Sequence, residues 1–168
     1  MTLMEHKSFA GMNCSIAQAL EQVGERWSLL IVRECVLGTT RFDEFQRRLG
    51  IARNILTARL ARLVELGVLE RVALEGDARQ GYELTRKGEE LMPVLMALLQ
   101  WGDRWAPPPN GPSVKYVDTV TGKVVPRLGV RGTGARVMRP SELRLEPGPG
   151  ATAELKEKLR ARNERLGL

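Results

Sequence analysis

The segment "RFDEFQRRLGIARNILTARLARLVELG", residues 41–67, contains two short stretches with helically spaced apolar side chains. Three residues, Gly50 to Ala52, separate the two stretches. Two short helices joined by a three- or four-residue turn that contains glycine are typical of a helix-turn-helix. The residues predicted to face the core from these helices are Phe42, Phe45, Leu49, Leu56, Leu60 and Leu63.

The face of the second helix that points away from the core carries polar and small side chains. Near the N-terminus this face holds Arg53, Asn54, Thr57, Ala58 and Ala61. Arginine pairs bidentately with guanine and asparagine with adenine, and threonine or alanine can contact the methyl group of thymine. In a helix-turn-helix the first residues of the second helix meet the base edges. The sequence therefore predicts that this helix contacts double-stranded DNA with its N-terminal half.

Two further helices are predicted before this pair. Residues 14–24 have apolar residues at helical spacing and end at a glycine. Residues 25–38 are apolar on nearly every side, which is typical of a buried central helix. We expect Thr39 or Thr40 to cap the helix that follows.

The spacing changes from helical to strand-like after Gly67. Residues 68–74, "VLERVAL", and 81–88, "GYELTRKG", predict two strands around a turn. A hairpin directly after a DNA-contacting helix is the wing of a winged helix. Arg79 and Gln80 lie near its predicted tip, where they can meet the minor groove or phosphates.

One long amphipathic helix is predicted over residues 86–105, with Thr85 as its cap. Pro93 marks either a kink or the first turn of this helix. Its apolar surface exceeds what a small domain needs. A second subunit or the core of the monomer could cover that surface, and we favour the second subunit.

The composition divides the chain into parts. Residues 1–106 form the predicted DNA-binding and dimerisation domain, and the proline-rich residues 107–112 form a linker. Residues 113–168 predict two or three short antiparallel strands followed by a basic helix with a thin stripe of Leu155, Leu159 and Leu166. The predicted fold class is α+β, mainly α: a winged helix-turn-helix with a three-helix core, a β-hairpin wing, a C-terminal dimerisation helix and a small β-rich extension.

The net charge of +6 is unevenly distributed. Residues 107–168 hold 12 basic and 6 acidic side chains, whereas residues 1–106 are balanced with 14 of each. Within the balanced part, residues 41–62 carry six arginines against two acidic residues. Such a local excess attracts polyanions, although a solvated charged face is the alternative. The charge of the extension could likewise add phosphate contacts or only keep the extension in solution.

Several classes of protein are disfavoured by the sequence. No apolar run is long enough for a membrane helix, and the N-terminus lacks the apolar core of a signal peptide. Two widely spaced cysteines indicate a reducing compartment, so we expect a cytoplasmic protein. With one histidine, His6, and no Cys/His cluster, no metal or cofactor is expected. The adjacent acidic residues do not form an acid/base couple. The sequences "GTG" and "GPG" do not have the spacing of a phosphate-binding loop. We therefore do not expect an enzyme.

Residues 14–105 as a block resemble the HxlR-type family of bacterial winged-helix transcription regulators. The resemblance rests on Cys14, "ERWSLLIVRECVLGTTRFDEFQRRL", "ILTARLARLVELGVLER", "YELTRKGEEL" and "ALLQWGDRW", in this order and spacing. It implies a homodimer in which the first and last helices build the interface. It also implies that two recognition helices enter successive major grooves at a site with dyad symmetry, and that the protein regulates transcription, most simply as a repressor.

Residue by residue, the resemblance and the patterns above give two sets of site residues. The start of the first helix of the pair is implied to contact phosphates. The predicted DNA contacts are Thr40, Arg41, Arg53, Asn54, Thr57, Arg59, Arg62, Arg79 and Gln80. The predicted dimer interface contains Ile16, Leu20, Leu91, Leu95, Leu98, Trp101 and Trp105. One departure from the family is Ala52–Arg53, which replaces the usual capping pair at the start of the recognition helix.

The signal to which such a regulator responds has more than one candidate. Cys14 at a helix N-terminus could sense oxidants or electrophiles, or could be a small residue at the dimer seam. Cys35 lies in the apolar helix and is predicted to be core. A small hydrophobic effector could instead bind near Trp27, Trp101 and Trp105. The extension lacks paired cysteines, so we expect no zinc there.

A winged helix that binds another protein without DNA is the principal alternative function. Such a surface would more often present aromatic or aliphatic residues. The face described above presents Arg, Asn, Thr and Ala instead, which favours DNA.

Overall fold

The computed structural model describes residues 8–74, 79–133 and 136–168. The chain divides into two compact units, one ending at Leu99 and one running from Gln100 to Leu168. The elements in chain order are α1 (Ser15–Val23), α2 (Ser28–Val36), α3 (Phe42–Leu49), α4 (Arg53–Glu65), β1 (Leu69–Ala73), β2 (Gln80–Leu84), α5 (Arg86–Glu89), α6 (Met92–Trp105), a 3-10 turn (Pro140–Glu142) and α7 (Ala153–Arg165).

The core of the first unit lies between α2, α3, α4 and the start of β1. The predicted inward residues Phe45, Leu56 and Leu60 are fully buried, as are Ile31 and Val32 of the central helix. Burial of such side chains stabilises the fold by roughly 1.5–3 kcal/mol each. The prediction of a helical core built from these stripes is confirmed.

The turn between α3 and α4 depends on a left-handed residue. Gly50 has φ +61°, and its N–H donates to the carbonyl of Gln46 at 3.0 Å. A side chain in this conformation is disfavoured, which explains a glycine at the end of α3. Ile51 then enters the core at 4% exposure, and Ala52 precedes α4 without a side-chain cap, as the sequence indicates.

The predicted threonine cap of α3 is wrong. Arg41 is the N-cap residue of α3, and it makes no side-chain capping bond. Thr39 is buried at 2% exposure, where its hydroxyl lies 3.4 Å from Glu34 Oε2. A buried hydroxyl needs a hydrogen-bond partner, and the carboxylate of Glu34 draws Thr39 inward instead of leaving it at the helix end.

The wing is a two-stranded antiparallel sheet, as predicted. Its register pairs Leu69 with Leu84 and Ala73 with Gln80. Gly67, with φ +66°, turns the chain from α4 into β1. The predicted turn falls largely on residues 75–78, which lie outside the described residues.

The single long helix predicted after Thr85 is two helices, α5 and α6. Thr85 caps α5 as predicted, since its Oγ1 accepts a hydrogen bond from the N–H of Gly88 at 3.2 Å. The helix stops because Pro93 has no N–H to donate to the carbonyl of Glu89. Pro93 is the second residue of α6, so it marks a first turn and not a kink.

The second unit contains less regular structure than predicted. Its described residues form two isolated antiparallel bridges, Val117 with Val124 and Arg131 with Val137, instead of two or three strands. Asp118 holds the turn between the first bridged pair, because its carboxylate accepts from the Val120 N–H at 2.8 Å and from the Thr121 hydroxyl at 2.8 Å. These bonds lower the pKa of Asp118, the hydroxyl contributing most. Turns that satisfy their own polar groups leave little ladder to extend.

Helix α7 is confirmed, with Thr152 as its N-cap. The sequence predicts a leucine stripe on this helix, but Leu155 and Leu166 are exposed at 39% and 37%. The buried residue is Asn163, whose side chain donates to the carbonyl of Leu145 at 2.8 Å and accepts from its N–H at 3.2 Å. The hydrogen bonds of Asn163 therefore replace most of the predicted apolar packing of this helix.

Candidate nucleic-acid interface

The N-terminal half of α4 presents one exposed polar face. Leu56, Leu60 and Leu63 are buried on the opposite side of the helix. The exposed face contains Asn54, Thr57, Ala58, Ala61 and Arg62. The leucine row fixes the rotation of the helix about its axis, since turning it would expose all three leucines to water.

Arg53 is positioned by the preceding helix. Its guanidinium carbon lies 5.2 Å from the centre of the Phe42 ring, a cation–π distance. The side chain stays exposed, but its charged end is held at the junction of α3 and α4.

The hydroxyl of Thr57 is used inside the helix. Its Oγ1 donates to the carbonyl of Arg53 at 2.9 Å, one turn earlier. Because the hydroxyl is committed there, the methyl group is the part of Thr57 available for an outside contact.

Arg59 and Arg62 differ in their surroundings. Arg59 Nη2 lies 2.9 Å from Glu25 Oε2, and only 26% of its side chain is exposed. Its Nε is buried without a hydrogen-bond partner among the described residues. Arg62 is more exposed and pairs with Glu65 at 2.7 Å. The structure thus places Arg62 on the exposed face and turns Arg59 toward the loop between α1 and α2.

The wing and the start of α3 meet. The N–H of Tyr82 in β2 donates to the carbonyl of Thr40 at 2.9 Å. Arg41 lines one small cleft together with Arg79 and Gln80, although about forty residues separate them in sequence. Phe42, Asp43 and Leu74 complete this cleft. The sequence predicts Arg41, Arg79 and Gln80 as DNA contacts; their adjacency depends on strand pairing and could not be predicted.

Sequence reasoning missed the buried carboxylate of Glu34. Its side chain is 4% exposed and forms a salt bridge with Arg33, with Arg48 Nη1 at 4.0 Å. The backbone N–H of Thr39 also donates to the Glu34 carbonyl at 2.9 Å. These contacts join α2 to α3. The sequence did contain a signal for this site, because an acidic residue inside the most apolar helix needs a partner when it is buried.

The residues predicted for a dimer interface fall into two groups. Ile16, Leu20, Leu98, Trp101 and Trp105 are exposed at 47–72%. The second group, Leu91 and Leu95, faces the core: Leu95 is part of the buried core cluster and Leu91 packs against it. One face of α6 therefore covers the core, and an interface role for this pair stays a prediction.

A second face of α6 remains exposed. Its members recur at i, i+4, i+7 and i+11, which places them on one side of the helix. We call Val94, Leu98, Trp101 and Trp105, exposed at 45%, 50%, 58% and 62%, the apolar stripe of α6.

The two cysteines have different environments. Cys14 is exposed and is the N-cap residue of α1. Cys35 is partly buried and packs against the core, as predicted. Burial, with a smaller contribution from the neighbouring Glu34 carboxylate, raises the pKa of Cys35 to about 12.

The chain just before Cys14 is tied to α1. Gln18 Nε2 donates to the carbonyls of Ala10 and Met12 at 3.0 and 2.8 Å. Glu21 accepts from the N–H of Phe9 at 2.7 Å and from the Ser8 hydroxyl at 2.9 Å, and these two bonds lower the pKa of its carboxyl. Cys14 therefore lies on a defined surface.

Other functional sites are not apparent in the described parts of the chain. Residues 8–74, 79–133 and 136–168 contain no group of three His, Cys, Asp or Glu side chains that could hold a metal ion. None of the helices described here has the length and apolar character needed to cross a membrane. Trp27 packs against the core, whereas Trp101 and Trp105 are exposed.

Comparison with protein families gives a match over the DNA-contacting region. The HxlR-like helix-turn-helix family matches residues 22–110, more than half of the chain. An uncharacterized HTH-type transcriptional regulator of Mycobacterium tuberculosis is 43% identical over 143 residues, covering 84% of this chain and 90% of the relative.

Two solved structures of regulators are also similar to this chain. The candidate transcription factor PA1607 is 41% identical, with a TM-score of 0.76 over 84% of this chain and 100% of that protein. The reduced form of the redox regulator HypR is 26% identical, with a TM-score of 0.50 over 54% of this chain and 92% of HypR.

The described elements agree with these matches. The helix-turn-helix of α3 and α4, the wing of β1 and β2, and the exposed face of α4 all lie inside residues 22–110. The long matches reach past residue 110, because 143 aligned residues cannot fit before it. The chain belongs to the HxlR family of helix-turn-helix transcriptional regulators.

Proposed function

We propose that the protein is a repressor that binds a dyad-symmetric operator as a homodimer. The exposed face of α4 carries this proposal: polar and small residues lie opposite a buried leucine row. A helix held in this way can enter a major groove with a fixed rotation. Two copies of α4, one from each subunit, would occupy successive grooves.

Base contacts are assigned to the first half of α4. Asn54 pairs with adenine and Arg53 with guanine. The methyl group of Thr57 contacts a thymine methyl, since its hydroxyl bonds to the helix backbone. The small side chains of Ala58 and Ala61 let the helix approach the bases closely.

Phosphate contacts are assigned to polar residues around the exposed face of α4. The cleft between the wing and α3 places Arg41, Arg79 and Gln80 together beside Thr40, and Arg62 lies further along α4. Arg59 is left out of the proposed contacts because its guanidinium is paired with Glu25.

The homodimer is proposed from two exposed apolar surfaces. One is the apolar stripe of α6 and the other is the exposed side of α1 with Ile16 and Leu20. Contiguous apolar surface on a small protein marks an interaction site. In this arrangement residues 1–106 form the DNA-binding and dimerisation domain, residues 107–112 a linker and residues 113–168 an extension, and the protein acts in the cytoplasm.

Binding of the purified protein to DNA upstream of its own gene tests the proposal. Fluorescence anisotropy would compare this duplex with a scrambled duplex of equal length and composition. We expect selective binding with a footprint of two half-sites about 10 base pairs apart, and lower expression of a reporter placed behind the site. Absence of selective binding to any neighbouring intergenic duplex would favour the alternative, a winged helix that binds protein.

A redox response is a second proposal, carried by the exposure of Cys14 and the likeness to a redox regulator. The thiol of Cys14 is open to oxidants, whereas the raised pKa of Cys35 keeps that thiol protonated. We expect diamide to weaken operator binding by the wild type and to leave Cys14→Ser unaffected. Binding that ignores diamide would favour a small effector near the tryptophans instead.

A further inference from the structure

The carboxylates of the second unit are largely committed to partners within that unit. Residues 107–168 contain six acidic side chains. Asp118 accepts hydrogen bonds in its turn, Glu142 pairs with Arg136 at 2.6 Å, and Glu146 pairs with Arg144 at 2.6 Å. The +6 charge of this part is therefore not spread evenly over its surface.

Helix α7 separates its charges onto two faces. On one face Arg160 pairs with Glu157 at 2.7 Å and approaches Glu164 at 3.9 Å. These pairs raise the pKa of Arg160, the hydrogen bond to Glu157 contributing most. Both carboxylates of this group thus share one arginine on the same face.

The other face has three cations and one acidic residue, Glu154, which lies one turn before the first cation; no ion pair joins Glu154 to these cations among the described residues. Lys158, Arg162 and Arg165 recur at i, i+4 and i+7, so they lie one above another. We call these three residues the cationic face of α7. They line one groove, about 620 Å³ in volume, with Leu145, Leu155, Leu159 and Ala161.

One member of the cationic face is held rigidly. Arg162 donates to the carbonyls of Leu143 and Pro140, both at 2.8 Å, and to Asn163 Oδ1 at 3.0 Å. Carbonyl partners leave its full positive charge in place. Lys158 and Arg165 flank it and are exposed. A fixed cation between two exposed ones is complementary to a row of phosphates.

We propose that the cationic face of α7 binds the phosphate backbone of duplex DNA, as a second contact outside the helix-turn-helix. The inference rests on the proposed function, because the extension is covalently joined to the unit that is proposed to bind the operator. The contact is assigned to phosphates because a row of cations along one helix face complements a row of negative charges.

The salt dependence of operator binding tests this contact. Each phosphate neutralised by a cation contributes about −0.9 to the slope of log Kobs against log salt. In the full chain, Lys158→Gln/Arg165→Gln removes two cations from each subunit of the proposed dimer, so it should make the slope shallower by about 3.6 and weaken binding equally on operator and scrambled duplexes. Lys156→Gln/Arg160→Gln removes the same charge from the other side of the same helix and should leave the slope near the wild-type value. Thermal melting by circular dichroism checks that both variants fold.

The outcomes separate this inference from the proposed function. Selective wild-type binding with an unchanged slope in Lys158→Gln/Arg165→Gln would overturn the phosphate contact and leave the operator proposal standing. Equal slope changes in both double variants would also overturn it, since net charge alone would then explain the effect. If the slope is unchanged and dodecanoate binds the wild type but not the variant, the groove is a site for an anionic amphiphile. Loss of selective binding in the wild type would instead contradict the operator proposal itself.

Discussion

Four polar side chains of α4 lie close together in sequence yet differ in what they contact. Arg53 is over the Phe42 ring, Thr57 bonds to its own helix and Arg59 pairs with Glu25. Asn54 is exposed. A helical wheel places all four on the surface side or its edge, so the sequence predicts four DNA contacts. Two of these side chains instead bond within the protein: Thr57 to the carbonyl of Arg53 and Arg59 to Glu25. Only the partner of Thr57 is close in sequence.

Asn54→Ala is expected to cost on the order of 1–3 kcal/mol of binding free energy on the operator. The same change should leave binding to a scrambled duplex nearly unchanged, because it removes a base contact. Arg41→Ala is the matched comparison: loss of a phosphate contact should weaken both duplexes equally. Anisotropy titrations on the two duplexes measure these differences. A uniform loss for Asn54→Ala would assign Asn54 to the backbone of the DNA.

The two thiols should differ in their reactivity toward iodoacetamide. Alkylation requires the thiolate, and the pKa of Cys35 is raised to about 12. Below that pH the Cys35 thiol stays protonated, so its alkylation should remain slow at pH 7 and rise only in strongly alkaline solution. Cys14 is exposed and should label first. Mass spectrometry of the labelled peptides checks the order; early labelling of Cys35 in Cys14→Ser under native conditions would contradict it.

At the scale of the elements, the sequence predicts the helices and the wing well because each has a local signal. The leucine row of α4, the glycine after α3 and the cap at Thr85 depend on neighbours within a few residues. The difference at Thr39 depends on which partner a side chain finds. Thr39 leaves the helix end for the buried Glu34, and Leu95 packs in the core of its own chain. Periodicity shows which faces are apolar, but it cannot show which partner covers each face.

Gly88→Ala is expected to destabilise the junction of α5 with the wing. A Cβ at this position would lie 2.3 Å from the carbonyl oxygen of Val68 and 2.9 Å from Leu84 Cδ2. Because backbone cannot move aside easily, the cost should be roughly 1–3 kcal/mol. Gly102→Ala is the control, since a Cβ there meets nothing within 4 Å and alanine favours helix by up to about 1 kcal/mol. Urea unfolding should show a lower midpoint for the first variant only.

At the scale of the whole molecule, the proposed association of two chains would use surfaces that the sequence identifies only in part. The spacing predicts an apolar excess near residues 86–105, and the exposed members of α6 agree with it. The second unit was harder to predict. The hydrogen bonds between Asn163 and Leu145 span 18 residues of sequence, a separation that leaves no periodic signal.

Leu98→Glu/Trp101→Glu should convert the dimer into a monomer. Two carboxylates placed on the apolar stripe of α6 would have to be desolvated at the interface, and an unpaired buried charge is very costly. Sedimentation equilibrium should give the mass of one 18.7 kDa chain for the variant and twice that mass for the wild type. Val120→Glu, at a residue that is 91% exposed, serves as a control and should remain dimeric. A wild type with the mass of one chain would contradict the proposed homodimer.

The pairing of Arg59 with Glu25 has a consequence for engineering new operator specificities. A library that randomises every polar position of α4 would also remove this ion pair, which joins α4 to the loop between α1 and α2. Restricting the random positions to Asn54, Thr57, Ala58 and Ala61 leaves the scaffold intact. Selections from the restricted library should therefore return more folded proteins per clone and a broader range of preferred operators.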